Sequence, residues 1–387
     1  MKDRAYFEAG DCDLATFAEI TTRKLKPMDV PLAADISLNV PIYDMQTLRP
    51  SLADPARRQA LMGEWAHVLG QSAGALVLRG AYSVTTPIDA ATKAYETIIE
   101  QERGRAGGAD HFATAGANDR IWNSLQKLCE TSPETFALYF GNDAIAAVCE
   151  AWLGAGYQMT AQVNLVRPGG KAQTAHRDYH LGFQTEEVAK RFPAHIHDLS
   201  AAMTLQGAIA HCDMPLESGP TKLLPFSQLF RPGYLAYRHP EFAEYFEANY
   251  IQLPLAKGDA LFFNPALFHG AGENRSADIH RMANLLQISS PFGRAMEVID
   301  RDGMCRKLYP VVQRLMADGR LDEARKRAAI AASAEGYSFP TNLDTDPPVG
   351  GLAPETQAAL FERALAESMT PEQFMTALDA HGARRHA

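Results

Sequence analysis

Hydrophobic and polar positions follow three textures along the chain. Up to about residue 156 the apolar residues recur mostly at helical spacing. Asp54 followed by Pro55 predicts an N-cap with proline at the first helical position, opening a helix through RRQALMGEWAHVLG that stops at Gly70. GALVLRGAY predicts a short buried strand ended by glycine. Two further helical regions are expected, over ATKAYETIIEQERG and from Ser132 and Pro133 through FALYFGNDAIAAVCEAWLG. The segment VPLAADISLNVPIYDM shows no clear period and reads as irregular.

From about Tyr157 to Pro291 short apolar or alternating runs are separated by turn residues: YQMTAQVNLV, SAAMTLQGAIA, NYIQLPLAKGD, ALFFNPALFHGAG and HRMANLLQISS. Such runs predict an antiparallel sandwich or barrel rather than a parallel sheet wound with helices. Helical patterning returns in MCRKLYPVVQRLMADG, LDEARKRAAIAASAEG and PETQAALFERALAES, and a final helix opens on a capping box at Thr370 and Gln373. The organisation expected is one domain over 1–387: an N-terminal extension with a helix over 1–73, a mainly β core with a helical insert over 74–295, and a C-terminal helical extension over 296–387. The extensions pad the sheet or provide candidate surfaces for a homodimer.

Composition removes several function classes. A formal net charge of -9 argues against a partner held by its phosphate backbone, so no nucleic acid is expected. Five scattered cysteines without a CxxC pair suit reduced thiols and leave no thiolate metal site. The amino-terminal residues lack the apolar stretch of a signal peptide, and no run approaches the roughly 20 apolar residues of a membrane span. A cytoplasmic protein with no membrane partner is the expectation. Neither GxSxG nor HExxH occurs, which leaves hydrolase chemistry without support.

The candidate chemistry lies in TAHRDYHLGF. In an extended chain, residues two apart share a face, so His176 and Asp178 would project together while Arg177 points out. A third ligand is expected on a neighbouring strand, and His269, between an apolar strand and a glycine-rich turn, suits it. Two imidazoles and one carboxylate on one face of an octahedron leave positions open, the arrangement of non-haem Fe(II) oxygenases. HxD alone is a weak signal. Downstream, Arg281 opens the strand RMANLLQIS, where a guanidinium fork would suit the carboxylate of a cosubstrate. Gln162 and Asn164 alternate on the strand before HRD; their amides either bond that cosubstrate or fill a polar interior.

Taken together, HRD, ESGPTKLLPFSQ, FHGAGENRS and the downstream arginine resemble the phytanoyl-CoA dioxygenase family of Fe(II)/2-oxoglutarate oxygenases, over roughly Gln162 to Ser289. The resemblance implies a double-stranded β-helix (jelly roll), one Fe(II), 2-oxoglutarate and O2 as cosubstrates, and hydroxylation of an unactivated carbon. It implies His176, Asp178 and His269 as iron ligands. Two departures stand out. Phe226 and Gln228 occupy positions where the family turn carries glycine and histidine, and the family arginine commonly falls at the position of His280, one residue before Arg281. Arg281 is the expected grip, with Arg275 and His280 as alternatives. Members act on CoA esters, amino-acid derivatives, phosphonates and natural-product intermediates; the acidic balance here favours a small-molecule substrate over a polyanion. Two other classes remain open: a cupin-like metalloenzyme without 2-oxoglutarate, and a non-catalytic jelly-roll binding protein.

Other suggestive residues have plainer readings. His180 continues the alternation but lies about 13 Å from His176 by strand rise, too far for one ion; with Tyr179 it lines the pocket or packs under it. His195, His197 and Asp198 look like an exposed loop, His211 a satisfied polar residue, and Trp65, Trp122 and Trp152 core residues.

Overall fold

The structure is a computed structural model and describes residues 4–102, 118–350 and 352–385. Ten strands occur among these residues: β1 (Asp35–Ser37), β2 (Val40–Asp44), β3 (Ala75–Arg79), β4 (Asn118–Ile121), β5 (Gln158–Val166), β6 (Thr204–Ala210), β7 (Lys222–Leu223), β8 (Ala260–Phe263), β9 (His269–Gly270) and β10 (Arg281–Ser289). Eight form one sheet in the order β1-β2-β3-β8-β6-β10-β5-β4, antiparallel throughout except for the β2/β3 pair. The facing sheet is small. β7 pairs with β9, and single bridges extend it, joining Leu223 to Ile251 on one side and His269 to His176 on the other. This is the jelly-roll arrangement, with one wall long and the other reduced to a few rungs.

The period of two along the large sheet separates a dry face from a polar one. On β10, Met282, Leu286 and Ile288 join the main hydrophobic cluster, whereas Arg281, Ala283, Leu285 and Gln287 line a cavity. β5 does the same with Ala161 and Val163 against Gln162 and Asn164, and β6 with Leu205 and Ile209 against Gln206 and Ala208. Register aligns these sets: Ala283 lies opposite Asn164, Leu285 opposite Gln162, and Gln287 opposite Gln206. The dry face is covered by helices that precede and follow the strand-rich part of the chain, including Pro55–Gln71, Pro133–Phe140, Asp143–Leu153 and Arg301–Ala317.

Several expected elements form as read. Asp54 caps its helix by accepting the Arg57 N–H at 2.8 Å, and Thr370 and Gln373 make the reciprocal capping bonds. The helix expected over ATKAYETIIEQERG is described from Thr86 to Glu102; its last two residues lie outside the described residues.

Others differ. The segment read as irregular contains the β1–β2 hairpin. Its two-residue turn places Leu38 and Asn39 at φ 50° and 68°, the left-handed pair that matches strand twist. The helix expected to run through FGND is two helices, because Asn142 leaves the first and caps the second, accepting from the Ala144 and Ile145 N–H groups. NYIQLPLAKGD supplies only the bridges at Ile251 and Leu255. AHIHDL is not an exposed loop but part of a helix, Ala194–Ala202, in which His197 is buried and bonds the Ala189 carbonyl. Trp122 is only half-buried and lines the cavity instead of joining the core.

Candidate functional site

The stretch carrying His176 and Asp178 is extended but is not a strand of either sheet. His176 makes a single bridge to His269, each backbone N–H donating to the other's carbonyl, and the Asp178 N–H donates to the Pro265 carbonyl. Two residues of extended chain suffice to put both side chains on the cavity side. Arg177 points away, as alternation requires, yet not into solvent. Its guanidinium is buried between the rings of Tyr234 and Phe268 and donates to the carbonyls of Ser227 and Phe230 at 2.7 and 2.8 Å. The buried arginine thereby pins the backbone between the two candidate ligands.

The alternation ends at Asp178. Tyr179 and His180 take φ values of 61° and 41°, unusual for side-chain-bearing residues, and the chain turns into a short helix. His180 is thus swung toward Ser200, with Nδ1 3.3 Å from its hydroxyl. Tyr179 packs beneath the site, its hydroxyl donating to Gln287 Oε1 at 2.7 Å.

His176, Asp178 and His269 each bring one donor atom within 4.8 Å of the others. Nε2 of His269 lies 3.4 Å from Asp178 Oδ2, and Nε2 of His176 lies 3.8 Å from Oδ1. Each imidazole has its Nδ1 against the carbonyl two residues earlier, Thr174 at 2.9 Å and Leu267 at 2.8 Å. A carbonyl only accepts, so Nδ1 carries the proton and Nε2 presents its lone pair inward in both rings. Burial and the neighbouring His269 hold the His176 imidazole below its ordinary pKa, so it stays neutral as a ligand must. Burial alone would raise the Asp178 carboxyl, but the two imidazoles and the Gln206 amide outweigh it and hold the group ionised. The donor set fits a divalent ion of intermediate hardness: two neutral nitrogens, one anionic oxygen and space beside them.

The cavity in front of this triad is about 570 Å³, room for a cosubstrate and a small molecule. Arg281 lies in its wall, 7% exposed, with Nη1 donating to the carbonyls of Ser218 and Gly272 at 3.0 and 3.3 Å. Burial lowers the guanidinium pKa to about 10, so it remains charged at neutral pH. Arg275 and His280, the alternatives, are exposed on the loop outside the cavity. Gln162 and Asn164 both line the cavity; Gln162 Oε1 accepts from Arg120 at 3.0 Å, while Asn164 Oδ1 is buried with no partner among the described residues. Gln228, the first departure, lies outside this cavity and donates to the Ser72 carbonyl at 2.8 Å.

Sequence reasoning missed Gln206, whose amide Nε2 meets Asp178 Oδ2 at 2.6 Å, and the rim residues Trp122, Phe183 and Met296. The alternation of β6 was available as a signal for Gln206, but nothing marked that glutamine over its neighbours.

A family model described as phytanoyl-CoA dioxygenase (PhyH) matches residues 70–283, more than half of the chain. The chain belongs to the phytanoyl-CoA dioxygenase family. Members use Fe(II), 2-oxoglutarate and O2, and this protein is an Fe(II)/2-oxoglutarate oxygenase. Among curated proteins it is similar to the dioxygenase cdmD of Talaromyces verruculosus, 29% identical over 229 residues, spanning 54% of this chain and 68% of that protein. Among solved structures it is similar to AviO1 from Streptomyces viridochromogenes Tue57, at 17% identity and TM-score 0.44, covering 62% of this chain and 97% of that one. It is also similar to HygX from Streptomyces hygroscopicus, solved with nickel and 2-oxoglutarate bound, at 13% identity and TM-score 0.41, covering 61% and 90%. No helix among the described residues is long and apolar enough to cross a membrane.

Proposed function

We propose that this oxygenase hydroxylates an unactivated C–H bond of a small molecule, with His176, Asp178 and His269 as the iron ligands and Arg281 as the grip on 2-oxoglutarate. The observation that carries the ligand set is the meeting of two Nε2 lone pairs and one carboxylate at a cavity wall, with both Nδ1 protons already committed to carbonyls. When bound, iron(II) with 2-oxoglutarate and O2 supplies the oxidising power: one oxygen atom enters the substrate, the other enters succinate, and CO2 leaves.

The chain's own residues do the remaining work. His176, Asp178 and His269 would hold the ion at the cavity wall, with the cavity beside them for cosubstrate. Arg281 sits on the first residue of β10, so its guanidinium is held by a rigid strand, and its bonds to two carbonyls leave other N–H groups for a carboxylate. Asn164, opposite Ala283 on the adjoining strand, offers an amide to the same ligand. Trp122, Phe183, Met214, Leu255 and Met296 add apolar surface to a wall that also carries Arg120, Gln173, Thr174 and Thr221, a mixture that suits an apolar substrate carbon borne on a molecule with some polar groups. Asp178 would supply the carboxylate ligand that related halogenases lack, which favours hydroxylation.

The test is succinate formation from 2-oxoglutarate by the iron-loaded protein across a small-molecule panel, with product mass read in parallel. Hydroxylation predicts succinate release stimulated by a substrate that gains one oxygen atom. A product that has lost hydrogen or changed configuration without gaining oxygen would replace hydroxylation with another outcome of the same oxygenase.

A further inference from the structure

We infer that Gln206 is the positioning residue for Asp178, and that a fixed chain of hydrogen bonds from Tyr179 through Gln287 sets which carboxylate oxygen faces the metal. This rests on the proposed ligand set and concerns its tuning. Gln206 and Gln287 are register partners on β6 and β10, 4% and 7% exposed. The Gln206 amide nitrogen donates to Asp178 Oδ2 at 2.6 Å and to Gln287 Oε1 at 3.2 Å. Gln287 Oε1 also accepts the Tyr179 hydroxyl at 2.7 Å. Chemistry allows one orientation for this chain. An ionised carboxylate only accepts, so Gln206 must turn its NH2 to Asp178; the second proton of that NH2 then requires an oxygen, which Gln287 supplies. Tyr179, buried and with its hydroxyl donating to Gln287 Oε1, closes the chain's far end and fixes the Gln287 flip.

The consequence falls on Asp178. Oδ2 is committed to the amide, whereas Oδ1 receives no hydrogen bond among the described residues, so Oδ1 is the oxygen presented for coordination. The carboxylate would thereby bind through Oδ1 alone. Tyr179 and Asp178 are also adjacent in the chain, so the unusual backbone at Tyr179 serves to bring its hydroxyl under β10. Partners that orient a metal ligand in this way are typically worth roughly 10- to 100-fold in metal affinity.

The experiment compares the full-length protein with Gln206→Met, which keeps the side-chain length and loses the donor, and with Gln287→Met. Each is titrated anaerobically with Co(II), followed by visible absorption, and then with 2-oxoglutarate. Apo-protein melting temperatures check that the fold is intact. The expected result for Gln206→Met is roughly 10- to 100-fold weaker Co(II) binding and an altered ligand-field spectrum, with a smaller loss for Gln287→Met. Affinity within twofold of the parent together with an unchanged spectrum in Gln206→Met overturns the inference. If Gln206→Met fails to fold, Tyr179→Phe, which removes only the outer hydroxyl, must still shift the spectrum. Asp178→Ala, run alongside, separates the two levels: parental Co(II) affinity there would remove the ligand set itself, whereas its loss with a silent Gln206→Met removes only the positioning role.

Discussion

At the level of single residues, Arg281 brings positive charge, opposite in sign to the Asp178 carboxylate, to the cavity wall. Arg281 lines the cavity together with Arg120, which is bonded to Gln162, and with Arg177, whose guanidinium is turned to the Ser227 and Phe230 carbonyls; a charge-assisted bond of about 1.5–3 kcal/mol from Arg281 to a carboxylate corresponds to roughly ten- to hundredfold in binding. Arg281→Leu is therefore expected to raise the KM for 2-oxoglutarate by that factor while iron stays bound; an unchanged KM would move the grip to another residue. Asp178→Ala is expected to abolish succinate formation and iron binding together, checked by metal analysis after anaerobic desalting. Much of this constellation was legible in the chain, because alternation in an extended segment depends only on backbone geometry, and it set His176 and Asp178 on one side correctly. The alternation misled beyond Asp178. Nothing in YHLGF announces that Tyr179 and His180 adopt positive φ, and only tertiary contacts enforce it. Arg177 was legible as facing away but not as buried, since an arginine stacked between two rings is exceptional and its carbonyl partners lie some fifty residues later.

At the scale of elements, two places hold the site's frame. The Arg177 guanidinium packs directly on Gly233, where an added Cβ would lie 2.0 Å from Cζ. Gly233→Ala must push that buried group off its carbonyl partners, so a loss of about 1–3 kcal/mol in denaturant unfolding is expected, with weaker metal binding as Arg177 loosens. The end of β6 is held from the helical side by His211, whose ring nitrogens meet Thr92 and Tyr139 hydroxyls at 2.8 Å each. Burial, aided by the charge of Lys257, pushes this imidazole down to about 3 from an ordinary 6.5. The unfolded chain takes up a proton near pH 6.5 that the folded protein refuses until about pH 3. Stability is therefore lost as pH falls through that window, by up to about 1.4 kcal/mol per pH unit from this group. His211→Gln should flatten the acid slope of the unfolding free energy; an unaltered slope would assign it elsewhere. Strands with a half-dry face were easy to locate from sequence. The β1–β2 hairpin was not, because its Leu38–Asn39 turn lacks the Asn-Gly or Asp-Gly signal that usually marks such a turn, and the short wall was overcounted because bridges of one residue carry no period.

At the scale of the whole molecule, the expected division into extension, core and extension understates how far the ends are built in. β1 and β2 from the first segment continue the large sheet, and Leu308, Tyr309 and Phe374 from the last belong to the same apolar cluster as Leu76 and Leu286. Tyr309 stacks on Phe374 with centroids 4.1 Å apart. Truncation after residue 295 is expected to expose that cluster and give insoluble protein; a soluble, cooperatively unfolding fragment would make the C-terminal helices a separate unit. That His176, Asp178 and His269 hold one iron at the cavity that Arg281 lines is tested most directly by adding 2-oxoglutarate to the Fe(II)-loaded protein without oxygen and recording visible absorption. A weak charge-transfer band in the middle of the visible range is expected, absent in Asp178→Ala and needing more 2-oxoglutarate in Arg281→Leu. One equivalent of bound iron with no such band, or the same band in Asp178→Ala, would contradict it.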